Sequence, residues 1–254
     1  MAKLSTIIKA KAQLKAVQAL TYILPVSHPL VFAGPNSALN LCDNIQQLGM
    51  KKVLIVTDEV LLKLGVIQPL QSKLEQANIQ VTIFSEVKPD PTFEVVEKAI
   101  QLLTSSQSDS VLAVGGGSTI DTSKVLALAA ANNKSPKQLI GILKARKPSF
   151  PLFVIPTTAG TGSEVTVAAV LSDNETHVKS LVIDHKVVPL ATALDPVIMQ
   201  GMPPTITADT GIDALTHALE SWVSEFANQE TDFYSGAATK LILDNLVTAW
   251  KDGK

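Results

Sequence analysis

The sequence predicts an α/β chain in which a parallel sheet, covered on both faces by helices, gives way to an all-helical segment. Three observations predict it. Short apolar runs alternate with helical stretches from Leu30 to Ile155, the pattern of strands joined by crossover helices. In the middle of them stands Ser110 to Lys124, SVLAVGGGSTIDTSK, which reads as a strand, three glycines and a helix. Beyond Pro203-Pro204 the strand character is lost and two long helical patterns follow.

The first acidic residue is Asp43. Before it, Lys3, Lys9, Lys11 and Lys15 are interleaved with Leu4, Ile7, Ile8, Leu14 and Val17 at roughly helical spacing, which predicts a helical extension over residues 1–29. Such a helix could target an organelle or lie on a membrane. With no arginine and no cleavage signal, packing on the body of the chain is the better reading. Leu30 to Ala33 is a short strand, and Gly34-Pro35-Asn36 a turn into the next helix. Lys52 to Thr57 and Ile79 to Phe84 are strands. Gln68 to Ala77 and Thr92 to Ser105 are helices, the second starting after Pro91. Leu152 to Ile155 is a further strand. Ligands of parallel sheets bind beyond the carboxyl ends of the strands. Asp58, Asp90, the three glycines and Thr157-Thr158 all fall at those ends.

Val111 to Val114 is the kind of apolar run that occupies the middle of a parallel sheet. Gly115, Gly116 and Gly117 let the backbone turn sharply and approach a ligand. Ser118 is the expected N-cap of the helix, and Asp121 three residues on makes a near capping box. The free N–H groups of that helix end offer a seat for a phosphate or pyrophosphate. An ordinary glycine-rich turn is the alternative.

After Pro156 the run TTAGTGSEVT is dense in hydroxyls and glycine. Thr157, Thr158, Thr161 and Ser163 can donate to phosphate or ribose oxygens, or simply form a polar loop. Val165 to Leu171 and Lys179 to Ile183 read as two strands of a hairpin-like insertion turning at Ser172 to Glu175. Lys179 could reach a nucleotide or face solvent; His177, in or near the turn, reads as solvated, His185 as structural, and His28 has no evident partner. Ile206 to Ser224 and Thr231 to Trp250 are the two terminal helices. Asp213 and His217, four residues apart, put a carboxylate and an imidazole on one helix face: a metal-ligand spacing, or a plain intrahelical contact. Leu215, Leu219 and Trp222 supply an apolar stripe for packing, and Glu220 faces water. The faces carrying Leu241, Leu243 and Leu246 need cover.

The totals exclude several classes. A net charge of -2 leaves no dominant basic face for nucleic acid. Cys42 is the single cysteine, so there is no internal disulfide or cysteine metal cluster, which fits a reducing, cytoplasmic setting. No apolar run approaches the ~20 residues of a membrane span.

Together, GGGSTID, PTTAGTGSEVT and DPVIMQGMPPTITADTGIDALTHALES resemble the iron-containing (group III) alcohol dehydrogenases, in matching order and spacing from about Leu30 onward. The last two motifs are the specific ones. They disfavour a lyase of the dehydroquinate synthase type and, less firmly, glycerol dehydrogenase and maleylacetate reductase. The resemblance implies an NAD-binding α/β domain over 1–204 and, over 205–254, the first part of a helical metal-binding domain. It implies that Gly115, Gly116, Gly117 and Ser118 hold the NAD pyrophosphate and that Thr157, Thr158 and Thr161 line the cofactor. Val170 and Lys179 would lie on its nicotinamide and ribose side, Asp58 at the adenosine ribose and Asp90 near the adenine. A carboxylate at Asp58 favours NAD over NADP.

Asp213 and His217 match the first two of four metal ligands, for Fe(II) or, as the alternative, Zn. The implied reaction moves a hydride between a small primary alcohol, or its aldehyde, and NAD, with the metal as Lewis acid, in a homo-oligomer. The family's other two ligands are histidines further downstream. Since His28, His177 and His185 all precede Asp213, the resemblance implies a C-terminally truncated member with impaired activity. An inactive NAD-binding module is the alternative.

Overall fold

The computed structural model describes residues 28–176 and 178–253; the expected N-terminal helix and His177 lie outside them. The elements run β1 (Leu30–Ala33), α1 (Ser37–Gln47), β2 (Lys52–Asp58), α2 (Glu59–Lys63), α3 (Gln68–Gln76), β3 (Gln80–Val87) and α4 (Phe93–Ser105). They continue with β4 (Ser110–Gly115), α5 (Gly117–Asn132), β5 (Gly141–Ile142), β6 (Leu152–Pro156), β7 (Ala168–Ser172), β8 (Lys179–Ile183) and β9 (Ala191–Leu194). Three helices close the chain: α6 (Pro196–Met199), α7 (Pro204–Val223) and α8 (Gln229–Lys251).

A six-stranded sheet in the order β1-β9-β6-β4-β2-β3 is parallel throughout. The α/β architecture read from the alternating runs is therefore the observed one. Side chains of a strand point alternately to its two faces, and the sequence fills both. Leu54, Val56, Val111, Ala113, Leu152 and Val154 pack under α4 and α5. Val53, Ile55, Leu112, Val114, Phe153 and Ile155 pack under α1 and α3. Every residue of β4 is buried, which puts this strand at the heart of the sheet.

From β2 the chain crosses by α3 to β3, outward on one side; from β4 it crosses by α5 to β6, outward on the other. The strand order thus reverses between β2 and β4, and the crevice beyond their carboxyl ends is the expected ligand position of such a sheet.

Helix α5 is buried almost all round, from Thr119 to Ala129. Its outer side meets a second, three-stranded sheet, β5-β8-β7, whose Ala169, Leu171 and Val182 join the same core. β7 and β8 form the expected antiparallel hairpin, with Ser172 opposite Lys179. The first strand is shorter than Val165 to Leu171, because Ser163–Val165 forms a 3-10 turn and Thr166 bonds a lysine side chain instead of a strand partner.

Helices α7 and α8 pack as a pair. They come close at Gly211, where a Cβ would stand 2.2 Å from Leu246 Cδ1. The apolar stripe expected on α7 is not a buried face. Leu215 is half-buried and Leu219 and Trp222 are exposed, and the buried residues of that helix are Gly211, which takes Leu246 against its backbone, and Ala218. Glu220 faces solvent as expected. Leu241 and Leu243 are exposed, whereas Leu246 is half-buried over Gly211. No helix among the described residues is long and apolar enough to cross a membrane.

Asp195 closes the sheet. Buried at the end of β9, it accepts from Val197 N at 3.0 Å to cap α6 and from Ala38 N at 3.1 Å to hold α1. Replacing it by alanine leaves both N–H groups without this acceptor, a loss of about 1–3 kcal/mol. Urea unfolding should show that loss for Asp195→Ala and a partial recovery for Asp195→Asn, whose amide oxygen still accepts.

Candidate cofactor and metal site

The parallel sheet brings the sequence-predicted residues to one edge. Asp58 ends β2, Asp90 follows β3, Gly115 ends β4, and Thr157-Thr158 follow β6. At the centre β4 turns into α5 with a single residue, Gly116, between them.

The turn is built differently from the expected capping box. Gly116, in extended backbone, is the N-cap; the helix begins at Gly117, and Ser118 lies in its first turn. Asp121 does not reach back to the cap: its Oδ2 accepts from Val170 N at 2.9 Å. Close packing explains the early start. A Cβ on Gly115 would lie 2.4 Å from Thr119 Oγ1, one on Gly116 3.2 Å from Thr158 Oγ1, and one on Gly117 2.8 Å from Thr161 Cγ2. The glycine turn therefore lies directly against the hydroxyl loop, and Thr157 N donates to Gly115 O at 3.1 Å. The first-turn N–H groups of Gly117 and Ser118 have no intrahelical acceptor.

The loop also touches the helix pair. A Cβ on Gly160 would meet Thr210 O at 2.6 Å, so the loop rests on the backbone of α7 one turn before Asp213. Asp213 Oδ1 and His217 Nε2 stand 3.7 Å apart on that helix, both about half exposed. Among the described residues no group of three or more His, Cys, Asp or Glu is arranged to hold a metal ion. Two donors on one helix turn do not complete a metal centre, which takes three or four.

Asp58 caps α2, its Oδ1 accepting from Leu61 N at 2.9 Å. Asp90 has left-handed backbone (φ 53°) and pairs with Lys179 at 3.3 Å on the surface. The structure thus joins two residues that the resemblance assigns to different parts of a dinucleotide. Such an exposed pair is worth at most ~1 kcal/mol and opens easily. Val170 is half-buried in β7, its N–H taken by Asp121. His185 sits beside the buried Asp184, which accepts from Ala145 N and Lys186 N and reads as structural. Burial pushes the Cys42 thiol up to about 12, so it is no nucleophile.

Sequence reasoning missed a buried charged cluster behind the turn. Lys124 is wholly buried, and its Nζ donates to Thr166 O at 2.7 Å, Thr166 Oγ1 at 2.8 Å and Ala168 O at 2.9 Å. Burial pulls its pKa down to about 8, against the opposing pull of Asp121 and Glu164. Burial raises Asp121, offset in part by the Val170 N–H, by Lys124 and by the Ser163 hydroxyl. Burial likewise raises Glu164. The available signal was a lone lysine inside the apolar run of a helix, one turn after an acid.

The iron-containing alcohol dehydrogenase model matches residues 29–196, and the C-terminal model of the same family matches residues 207–254. The chain belongs to the iron-containing alcohol dehydrogenase family. It is 38% identical over 233 residues to alcohol dehydrogenase 4 of Saccharomyces cerevisiae, covering 92% of this chain and 60% of that protein. An NAD-dependent methanol dehydrogenase of Bacillus methanolicus is 36% identical over 226 residues, covering 89% of this chain and 59% of that protein. A crystal structure of 1,3-propanediol oxidoreductase superposes with a TM-score of 0.86 at 37% identity, covering 91% of this chain and 61% of that one. The chain spans about 60% of the length of these relatives.

The buried lysine makes stability depend on pH. Lys124 titrates near 8 when folded and near 10.5 when unfolded, so between those values the unfolded chain holds more protons and stability rises with pH. Unfolding followed from pH 7.5 to 10.5 should show this rise in the unmodified chain relative to Lys124→Met, which lacks it.

Proposed function

We propose that this chain carries the NAD-binding half of an alcohol dehydrogenase, which moves a hydride between NAD and a small primary alcohol or its aldehyde. In this reading residues 1–204 form the cofactor domain and 205–254 begin the metal-binding domain. The observation that carries it is the glycine turn at the switch point, lying against the hydroxyl loop at a helix N-terminus that no side chain caps. A pyrophosphate would be held there by the N–H groups of Gly117 and Ser118, which have no intrahelical acceptor, and by the threonine hydroxyls of the adjoining loop. Family membership and the NAD-dependent relative support the same ligand.

Each residue then has a task. Gly115 and Gly116 let the backbone come close, and Gly117 and Ser118 donate to the pyrophosphate. Thr157, Thr158 and Thr161 donate to phosphate and ribose oxygens. Asp58, whose Oδ1 is engaged at the helix cap, offers its second oxygen to the adenosine ribose and repels a 2′-phosphate. Asp90 borders the adenine, and Lys179 exchanges it for the cofactor beside Val170. Bound NAD supplies the hydride acceptor; the protein supplies position and field.

Asp213 and His217 are the metal donors in this reading, for Fe(II) or Zn. The described residues hold only half of a usual ligand set. That same shortage favours a second reading of this chain: an NAD-binding module that turns over very slowly or not at all.

Fluorescence titration with NADH, paired with a steady-state assay of NADH formation from a short alcohol in added Fe(II) or Zn(II), tests both. We expect NADH to bind and turnover to be very slow or absent. Failure to bind NADH would overturn the cofactor reading, and brisk metal-dependent turnover would overturn the statement of impairment.

A further inference from the structure

We propose that Asp121 and Lys124 are positioning residues that clamp the segment from Ser163 to Val170 onto the helix beginning at the glycine turn, and so set the affinity for the dinucleotide without touching it. The inference rests on the cofactor reading above.

The geometry is a two-point grip. Asp121 and Lys124 lie one turn apart on α5, whose first residue is Gly117. Asp121 accepts from Val170 N at 2.9 Å. Lys124 spends all three ammonium protons on one short stretch, two on Thr166 and one on Ala168 O. The gripped segment continues directly from the hydroxyl loop, where Ser163 N donates to Thr161 Oγ1 at 3.2 Å. Thr161 is the residue that fills the space beside Gly117. Both walls of the cofactor seat are thereby tied to one rigid helix.

A charge is an expensive way to fill this position. An unbranched apolar side chain of similar length would pack between helix and sheet without desolvating an ammonium. What the lysine adds is direction: three fixed donors hold two carbonyls and a hydroxyl in one arrangement. Thr166 and Ala168 consequently lie where Lys124 holds them, in the stretch where the β7 ladder has not yet begun or is only beginning.

The charged groups facing Lys124 are Asp121 from its own helix and Glu164 from the turn Ser163–Val165. When Lys124 loses a proton, its amine keeps two donors and turns a lone pair toward an acceptor, so one of the three bonds is lost. The clamp loosens as pH passes about 8. Global stability moves the opposite way over that range, so a purely structural lysine and a clamp give opposite pH responses.

The test measures NADH affinity by fluorescence titration from pH 6.5 to 9.5, with amide hydrogen exchange of residues 157–170 followed in the absence of cofactor. The full chain is compared with Lys124→Met and Thr166→Val. The unmodified chain should lose affinity above pH 8. Lys124→Met should bind at least ~10-fold more weakly at pH 7, with no such pH dependence, and should exchange faster across the segment. Thr166→Val, which removes the hydroxyl that accepts from Lys124 and itself donates within the segment, to Ala168 O at 3.1 Å or Ser163 O at 3.4 Å, should bind a few-fold more weakly, and it carries the comparison if Lys124→Met does not fold. Equal affinity and equal exchange in a folded variant, or an unmodified chain whose affinity does not change with pH, would overturn the clamp. Slow exchange of the segment in an unmodified chain that binds no NADH would overturn the cofactor reading, and with it the clamp's role in affinity.

Discussion

The central strand of the sheet has to become a helix with one residue between them, and the space for doing so is fixed by its neighbours. At Gly115 a Cβ would meet the Thr119 side chain, and at Gly117 the Thr161 side chain, both inside van der Waals contact. The rest of the cofactor edge follows from that steric condition. Because β4 is fully buried and paired on both sides, the turn cannot swing away from the sheet. Because the glycines carry nothing, the hydroxyl loop closes on them, and the helix begins with no side-chain cap at the point where the strand order reverses.

A second constraint operates behind the first. An aspartate and a lysine on α5 fasten the far end of the hydroxyl loop, and Gly160 lets the middle of the same loop rest on the backbone of α7. A loop dense in glycine and threonine is thereby held at three places by rigid elements. Holding a charge in the interior costs stability, and such a charge is the reason a glycine-rich loop need not be a mobile one.

Much of this was legible in the chain itself, for local reasons. β1 and β4, and α4 behind Thr92, stand where apolar period, proline and capping chemistry put them. The family motifs located the glycine turn, the hydroxyl loop and the Asp213–His217 pair. Three features were not legible, because each depends on contacts distant in sequence. The capping role expected of Ser118 passes to Gly116, since Thr161 presses on Gly117 from 44 residues away. Asp121 is drawn from its own helix end to Val170, 49 residues on. Lys124, to which the sequence assigned no role, is wholly buried. The stripe on α7 failed for another reason: Gly211 takes Leu246 of α8 against its backbone, while Leu219 stays exposed and Trp222, its ring edge near Gly236, is only partly covered.

The most direct test of the cofactor seat is a crystal structure of the chain soaked with NADH. The account predicts pyrophosphate oxygens within hydrogen-bond distance of the backbone nitrogens of Gly117 or Ser118, with the threonine loop closed over them. Density for the dinucleotide at any other position, with that helix end left to solvent, would contradict it.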